Sequence, residues 1–194
     1  EGDLNGQMDV AVNGVKNPYF NYLDDSENAQ EVIQSVFSEK SIQKIDVKKF
    51  DHTGSQIHAD IEQKDVWKNQ GDYYFLTLPE SEYGLKGEHL NVLLKERKTP
   101  LQLSQPLNES YEYSVILPEG LNFTAPELDE VIENDLGSVS INFSADNKNL
   151  KINKSLKINH SLITPEAYTQ FKDLLDAWNK ETYREIILKK SNTE

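Results

Sequence analysis

Residues 139–158 read VSINFSADNKNLKINKSLKI. Val139, Ile141, Phe143 and Ala145 take every second position, and after the polar step Asp146-Asn147-Lys148-Asn149 the apolar set returns as Leu150, Ile152, Leu156 and Ile158. Lys151, Asn153, Ser155 and Lys157 fill the opposite parity. Strand side chains alternate between two faces, so this is the pattern of an antiparallel hairpin with one buried and one solvated face. Lys154 stands where an apolar residue is expected and reads as an interruption of the second strand.

Working outward, Tyr111, Tyr113, Val115 and Leu117 repeat the alternation before the turn Pro118-Glu119-Gly120. Asp72 to Leu78 (DYYFLTL) is apolar on both parities and stops at Pro79, which predicts an interior strand, and residues 80–89 read as a loop holding Gly84 and Gly87. Ile45 and Val47, then Ile57, Ala59 and Ile61, alternate on either side of Asp51-His52-Thr53-Gly54 and predict a second hairpin. Met8, Val10 and Val12 predict an opening strand that ends at Asn13-Gly14.

Two stretches change period. From Ser26 to about Lys40, Ala29, Val32, Ile33, Val36 and Phe37 fall on one helical face, with Asp24, Asp25 and Ser26 as caps for its first amides. Near the other end Thr164 as N-cap and Pro165 in the first turn open a helix that buries Tyr168, Phe171, Leu175 and Trp178. Tyr183 to Leu188 fits either a continuation of that helix or a last strand. Short strands framed by two helices predict a mainly β, α+β protein: an antiparallel, Ig-like β-sandwich with an N-terminal and a C-terminal helix. The expected division is an α+β segment over 1–89 packed on a sandwich part over 90–194.

Composition limits the chemistry. The 194 residues contain 37% hydrophobic side chains, enough for a packed core. The net charge of −13 is spread over both halves, which disfavours nucleic acid and anionic membranes as partners, since both attract cationic surfaces. Without Cys there is no disulfide, thiolate nucleophile or Cys-bound zinc. No apolar run approaches the roughly 18 residues that span a bilayer.

No candidate motif assembles a site. His52, His58, His89 and His160 lack the spacing that sets two imidazoles on one helical face; only His52 and His58, near Asp51 and Asp60, could approach each other across a hairpin. The turn at 146–149 lacks the regular ligands and distal Glu of a calcium loop. No nucleophile elbow or glycine-rich phosphate loop is present. The sequons at Asn108, Asn122, Asn142, Asn153 and Asn159 fit chance in an Asn- and Ser-rich chain. Trp67, Tyr73, Tyr74 and Phe75 could line a glycan surface, but their alternation fits core filling better. Arg97, in Glu96-Arg97-Lys98-Thr99-Pro100-Leu101, is placed either to pair with a carboxylate or to stand exposed at a strand edge. No catalytic, cofactor-binding or metal-ligating residue is nominated, and no cofactor is expected.

Taken in order, Asp3-Leu4-Asn5-Gly6, Gly71-Asp72-Tyr73 through Leu78-Pro79, Arg97-Lys98-Thr99-Pro100-Leu101, Tyr111-Glu112-Tyr113 through Leu117-Pro118-Glu119-Gly120, and Ile163-Thr164-Pro165-Glu166-Ala167-Tyr168 form a set of landmarks. They resemble the C-terminal domain of unknown function in bacterial transglutaminase-like proteins, whose Cys, His and Asp lie in an upstream papain-like core. The resemblance implies a non-catalytic accessory module of a larger exported protein, periplasmic or extracellular, partnered by the upstream domain of the same polypeptide. A free-standing adhesion or carbohydrate-binding module, with a peptide or glycan as partner, is the alternative; an enzyme working with carboxylates alone ranks last.

Overall fold

The computed structural model describes residues 4–13, 42–51, 54–64, 66–78, 80–81, 84–90, 96–117, 119–124, 127–146 and 149–191. The chain forms two compact units, Glu1–Lys68 and Asn69–Glu194.

In the first unit β1 (Leu4–Asn13), β2 (Ile42–Asp51) and β3 (Gly54–Gln63) make an antiparallel sheet in the order β1-β3-β2. The hairpin expected around 51–54 is β2–β3, closing at Asp51↔Gly54. The register aligns apolar positions across all three strands: Val10 and Val47 stand opposite Ile57, and Met8 and Ile45 opposite Ala59. A slip of one residue would scramble these rows, which is what fixes the pairing. The helix expected from Ser26 to Lys40, with its caps, lies outside the described residues.

The second unit holds β4 (Lys68–Gln70), β5 (Tyr73–Thr77), β6 (Leu101–Gln102), β7 (Leu107–Ile116), β8 (Leu121–Phe123), β9 (Leu128–Asn134), β10 (Gly137–Ala145), β11 (Asn149–Ile158), β12 (Leu162–Ile163), α1 (Tyr168–Trp178) and β13 (Glu185–Lys190). One sheet has the order β7-β11-β10-β9, a second β4-β5-β13-β8, and β12 pairs with β6. Every described pairing for which a register is resolved is antiparallel. The protein is thus a β-rich α+β fold, as its alternation predicts.

The deciding stretch forms β10 and β11, joined by a turn in which the Asp146 carboxylate accepts from the Asn149 N–H at 2.7 Å. Val139, Ile141 and Phe143 of β10 and Leu150, Ile152, Leu156 and Ile158 of β11 are buried. Each such side chain withdrawn from water stabilises the fold by roughly 1.5–3 kcal/mol. Phe143 meets Phe123 of the second sheet ring to ring at 6.3 Å. At the start of β10, Gly137 lies against the Lys157 carbonyl so closely that a β-carbon there would collide with it.

Helix α1 buries the expected stripe of Tyr168, Phe171, Leu175 and Trp178, together with Leu174 and Ala177. It begins later than Thr164 suggests. Thr164 and Pro165 instead form a preceding turn, in which the Ala167 N–H reaches the Thr164 carbonyl. A 3-10 turn at Glu181–Tyr183 ends the helical path, and 185–190 is a strand, which resolves the open reading of that segment. β5 lies between β4 and β13, so Tyr73–Thr77 is an interior strand, as expected, and β13 in turn lies between β5 and β8. For this reason the chain divides after Lys68, earlier than the 89/90 boundary expected from pattern alone.

Candidate functional site

The strand alternation carries one charged residue into the core. β11 runs unbroken from Asn149 to Ile158, so Lys154 shares the inward parity of Ile152 and Leu156 and is 1% exposed. It does not interrupt the hairpin. Burying an unpaired ammonium is prohibitive, and the fold supplies partners from three directions. The Glu80 Oε1 lies 2.5 Å from its Nζ, the Trp178 ring of α1 faces it at 4.5 Å, and Tyr111 is its register partner on β7. The other Glu80 oxygen faces Arg184 Nε at 3.8 Å.

A second carboxylate adjoins this pair. Glu109 Oε1 accepts from the Leu85 N–H at 2.5 Å, and its Oε2 accepts from the Tyr111 hydroxyl at 3.1 Å. The Tyr111 oxygen accepts in turn from the Ser81 N–H at 3.2 Å. Tyr111 also stacks on Tyr113 at 6.1 Å and packs against Trp178 at 6.0 Å. Gly84 sits so close to the Glu109 carboxylate that no β-carbon fits between them.

Electrostatics follow from this burial. Glu109 is pushed above the usual carboxylate range, first by desolvation and further by Glu80, against the hydrogen bonds from Leu85 and Tyr111. Tyr111 is pushed well above a free phenol, first by burial and then by Glu109. Tyr113 is raised by burial and by Glu80.

Chemically, Glu80 and Glu109 are a half-buried carboxylate pair, an arrangement related to those acid/base enzymes use. Here their oxygens face Lys154, Arg184, the Leu85 amide and Tyr111. The arrangement therefore works as a clamp, holding Glu80, Ser81 and Leu85 against β7 and β11, with Trp178 of α1 over the lysine. Among the described residues no buried side-chain nitrogen or oxygen lacks a partner.

The side chains singled out in the sequence are not brought together. His58 Nδ1 lies 2.8 Å from Asp9 Oδ1 and its Nε2 3.9 Å from Asp60 Oδ1, whereas His52 is outside the described residues. His89 ends a 3-10 turn in the left-handed conformation, and His160 is exposed. Among the described residues no three His, Asp or Glu side chains could hold a metal ion. Tyr73 and Tyr74, consecutive on β5, point to opposite faces, with Lys189 and Lys190 over their respective rings. Arg97 rests on the Tyr168 ring at 5.7 Å and makes no ion pair with a described residue. The sequence reading missed the clamp, although the inward parity of Lys154 is its one visible trace.

A family model described as a domain of unknown function with solved structure (DUF3858) matches residues 73–188. The fold is shared with the crystal structure of a "putative protease" from Parabacteroides distasonis, with a TM-score of 0.57 and 18% identity over 62% of this chain and 24% of that one. The chain therefore spans about a quarter of the length of that structure. No curated protein matches.

Proposed function

We propose, from the premise that this chain belongs to the DUF3858 domain family, that it is a non-catalytic accessory module of a larger exported, transglutaminase-like protein, where it supports or positions the upstream domain. The observation that carries this reading is one of extent: the same fold occurs as about a quarter of a much longer chain in the Parabacteroides distasonis structure. The chemistry of the clamp agrees. Side chains able to shuttle protons are turned inward and spent on holding a loop to a sheet, which suits a rigid support. The sequence landmarks add the transglutaminase-like context.

Two experiments test the proposal. Reading the natural frame upstream of residue 1 is expected to reveal an export signal followed by Cys, His and Asp in a papain-like arrangement; an export signal immediately ahead of residue 1 would overturn the reading. The isolated 194-residue chain is expected to show no peptide hydrolysis or acyl transfer above buffer. Activity that disappears in Glu109→Gln would make it an enzyme instead.

A further inference from the structure

Two landmarks that the clamp leaves unused meet in space. β6 and β12 pair Leu101 with Ile163 and Gln102 with Leu162, which brings the segment before Leu101 beside the turn leading into α1. Between them lies an open cleft of about 350 Å³, lined by Glu96, Arg97, Pro165, Glu166, Tyr168 and Thr169. This volume lies at the small end of ligand sites and suits a molecule the size of a dipeptide.

Arg97 is the organising group. It is half-buried, its guanidinium lies over the Tyr168 ring, and its Nε–H donates to the Thr99 carbonyl at 3.4 Å. One face and one donor are thereby fixed, while no described residue takes its two terminal Nη groups. A guanidinium braced in this way loses little freedom when it forms a two-pronged bond to a carboxylate. A simple anion is not the matching ligand, however, because Glu96 and Glu166 line the same cleft. Glu166 is exposed, and hydrogen bonds from its own N–H and from Thr164 hold its carboxyl below the usual range.

We infer that this cleft is a binding site for a small ligand of mixed charge, such as a free peptide end, whose carboxylate is taken by Arg97 and whose ammonium group is taken by Glu166 and Glu96. Pro165 supplies the apolar wall between the charged ends, while the buried Tyr168 ring acts from beneath as the seat of Arg97.

The test is an NMR titration of the whole 194-residue chain with three probes: glycylglycine, N-acetylglycine, which lacks the ammonium group, and glycinamide, which lacks the carboxylate. Glycylglycine is expected to give saturable shifts at the Arg97 and Thr169 amides, N-acetylglycine a weaker response, and glycinamide none. Arg97→Lys keeps a cation for the Tyr168 ring but loses the fork, and is expected to weaken glycylglycine binding by about tenfold. Should that variant fail to fold by circular dichroism, Glu166→Gln and Glu96→Gln, both at exposed positions, carry the test by weakening glycylglycine while leaving N-acetylglycine unchanged. The absence of saturable shifts, equal responses to glycinamide and glycylglycine, or wild-type binding by folded Arg97→Lys would each overturn the inference.

Discussion

Lys154 and Glu80 stand 74 residues apart in the chain and 2.5 Å apart in space, and the lysine side chain is wholly withdrawn from solvent. The pair is asymmetric. Glu80 has a second cation in Arg184, whereas Lys154 has, beyond Glu80, the Trp178 ring against it and the more weakly coupled Glu109. Removing either partner therefore leaves a different residue of charge in the core.

Glu80→Ala is expected to destabilise the second unit by about 3–5 kcal/mol, because it strands a buried ammonium. Lys154→Met keeps the volume and leaves Glu80 beside Arg184, so its loss should be smaller, about 1–2 kcal/mol. Urea denaturation measures both; equal losses below about 1 kcal/mol would mean that water reaches the ammonium.

The raised Glu109 carboxyl gives stability a pH dependence of definite sign. A carboxyl whose pKa is higher folded than unfolded favours the fold at low pH and withdraws that contribution as pH rises from the ordinary carboxylate range through its raised value. Glu109→Gln should remove this component and flatten the decline in thermal midpoint from about pH 4.5 towards neutrality. A variant with an unchanged profile would assign the decline to other groups.

Tyr111 and Tyr113 should stay un-ionised in alkaline solution for as long as the second unit is folded. Unfolded tyrosines titrate near pH 10, so the fold loses stability as pH climbs past that value. Absorbance at 295 nm is expected to rise in two stages, the later one coinciding with unfolding by circular dichroism. A single stage completed in the folded protein would contradict the burial of these phenols.

Two glycines should respond differently to alanine. At Gly137 the new methyl would meet a backbone carbonyl that cannot swing aside, and at Gly84 it would meet the end of the Glu109 side chain. Gly137→Ala should therefore cost about 1–3 kcal/mol and disturb the β10–β11 register. Gly84→Ala should instead displace the Glu109 carboxylate and weaken its hold on the Leu85 N–H, seen as faster amide exchange at Leu85.

Patterns with a short range in sequence translated directly into structure. β10, its turn and β11 lie within 22 residues of one another, and the buried stripe of α1 needs only the helical period. Lys154 is where that logic failed, because a charge at an inward position looks like a break when its compensating Glu80 and Trp178 come from a distant loop and helix. The division of the chain was hidden for a similar reason: β5 belongs with β13 through backbone bonds that no local periodicity records. Arg97 was noticed, but its seat on Tyr168 depends on the pairing of two two-residue strands, too short to show as alternation.

The place of β13 between β5 and β8 bears on how the protein is made. Of β5, β8 and β13, the strand synthesised last lies between the other two, so the β4–β5 pair and β8 emerge from the ribosome with nothing to join them. A nascent chain halted before Glu185 would display two strands awaiting a third, a state exposed to pairing with other chains. Completion of this sheet thus waits for Glu185–Lys190 to be made, and loss of that strand would part β5 from β8 at the centre of the sheet.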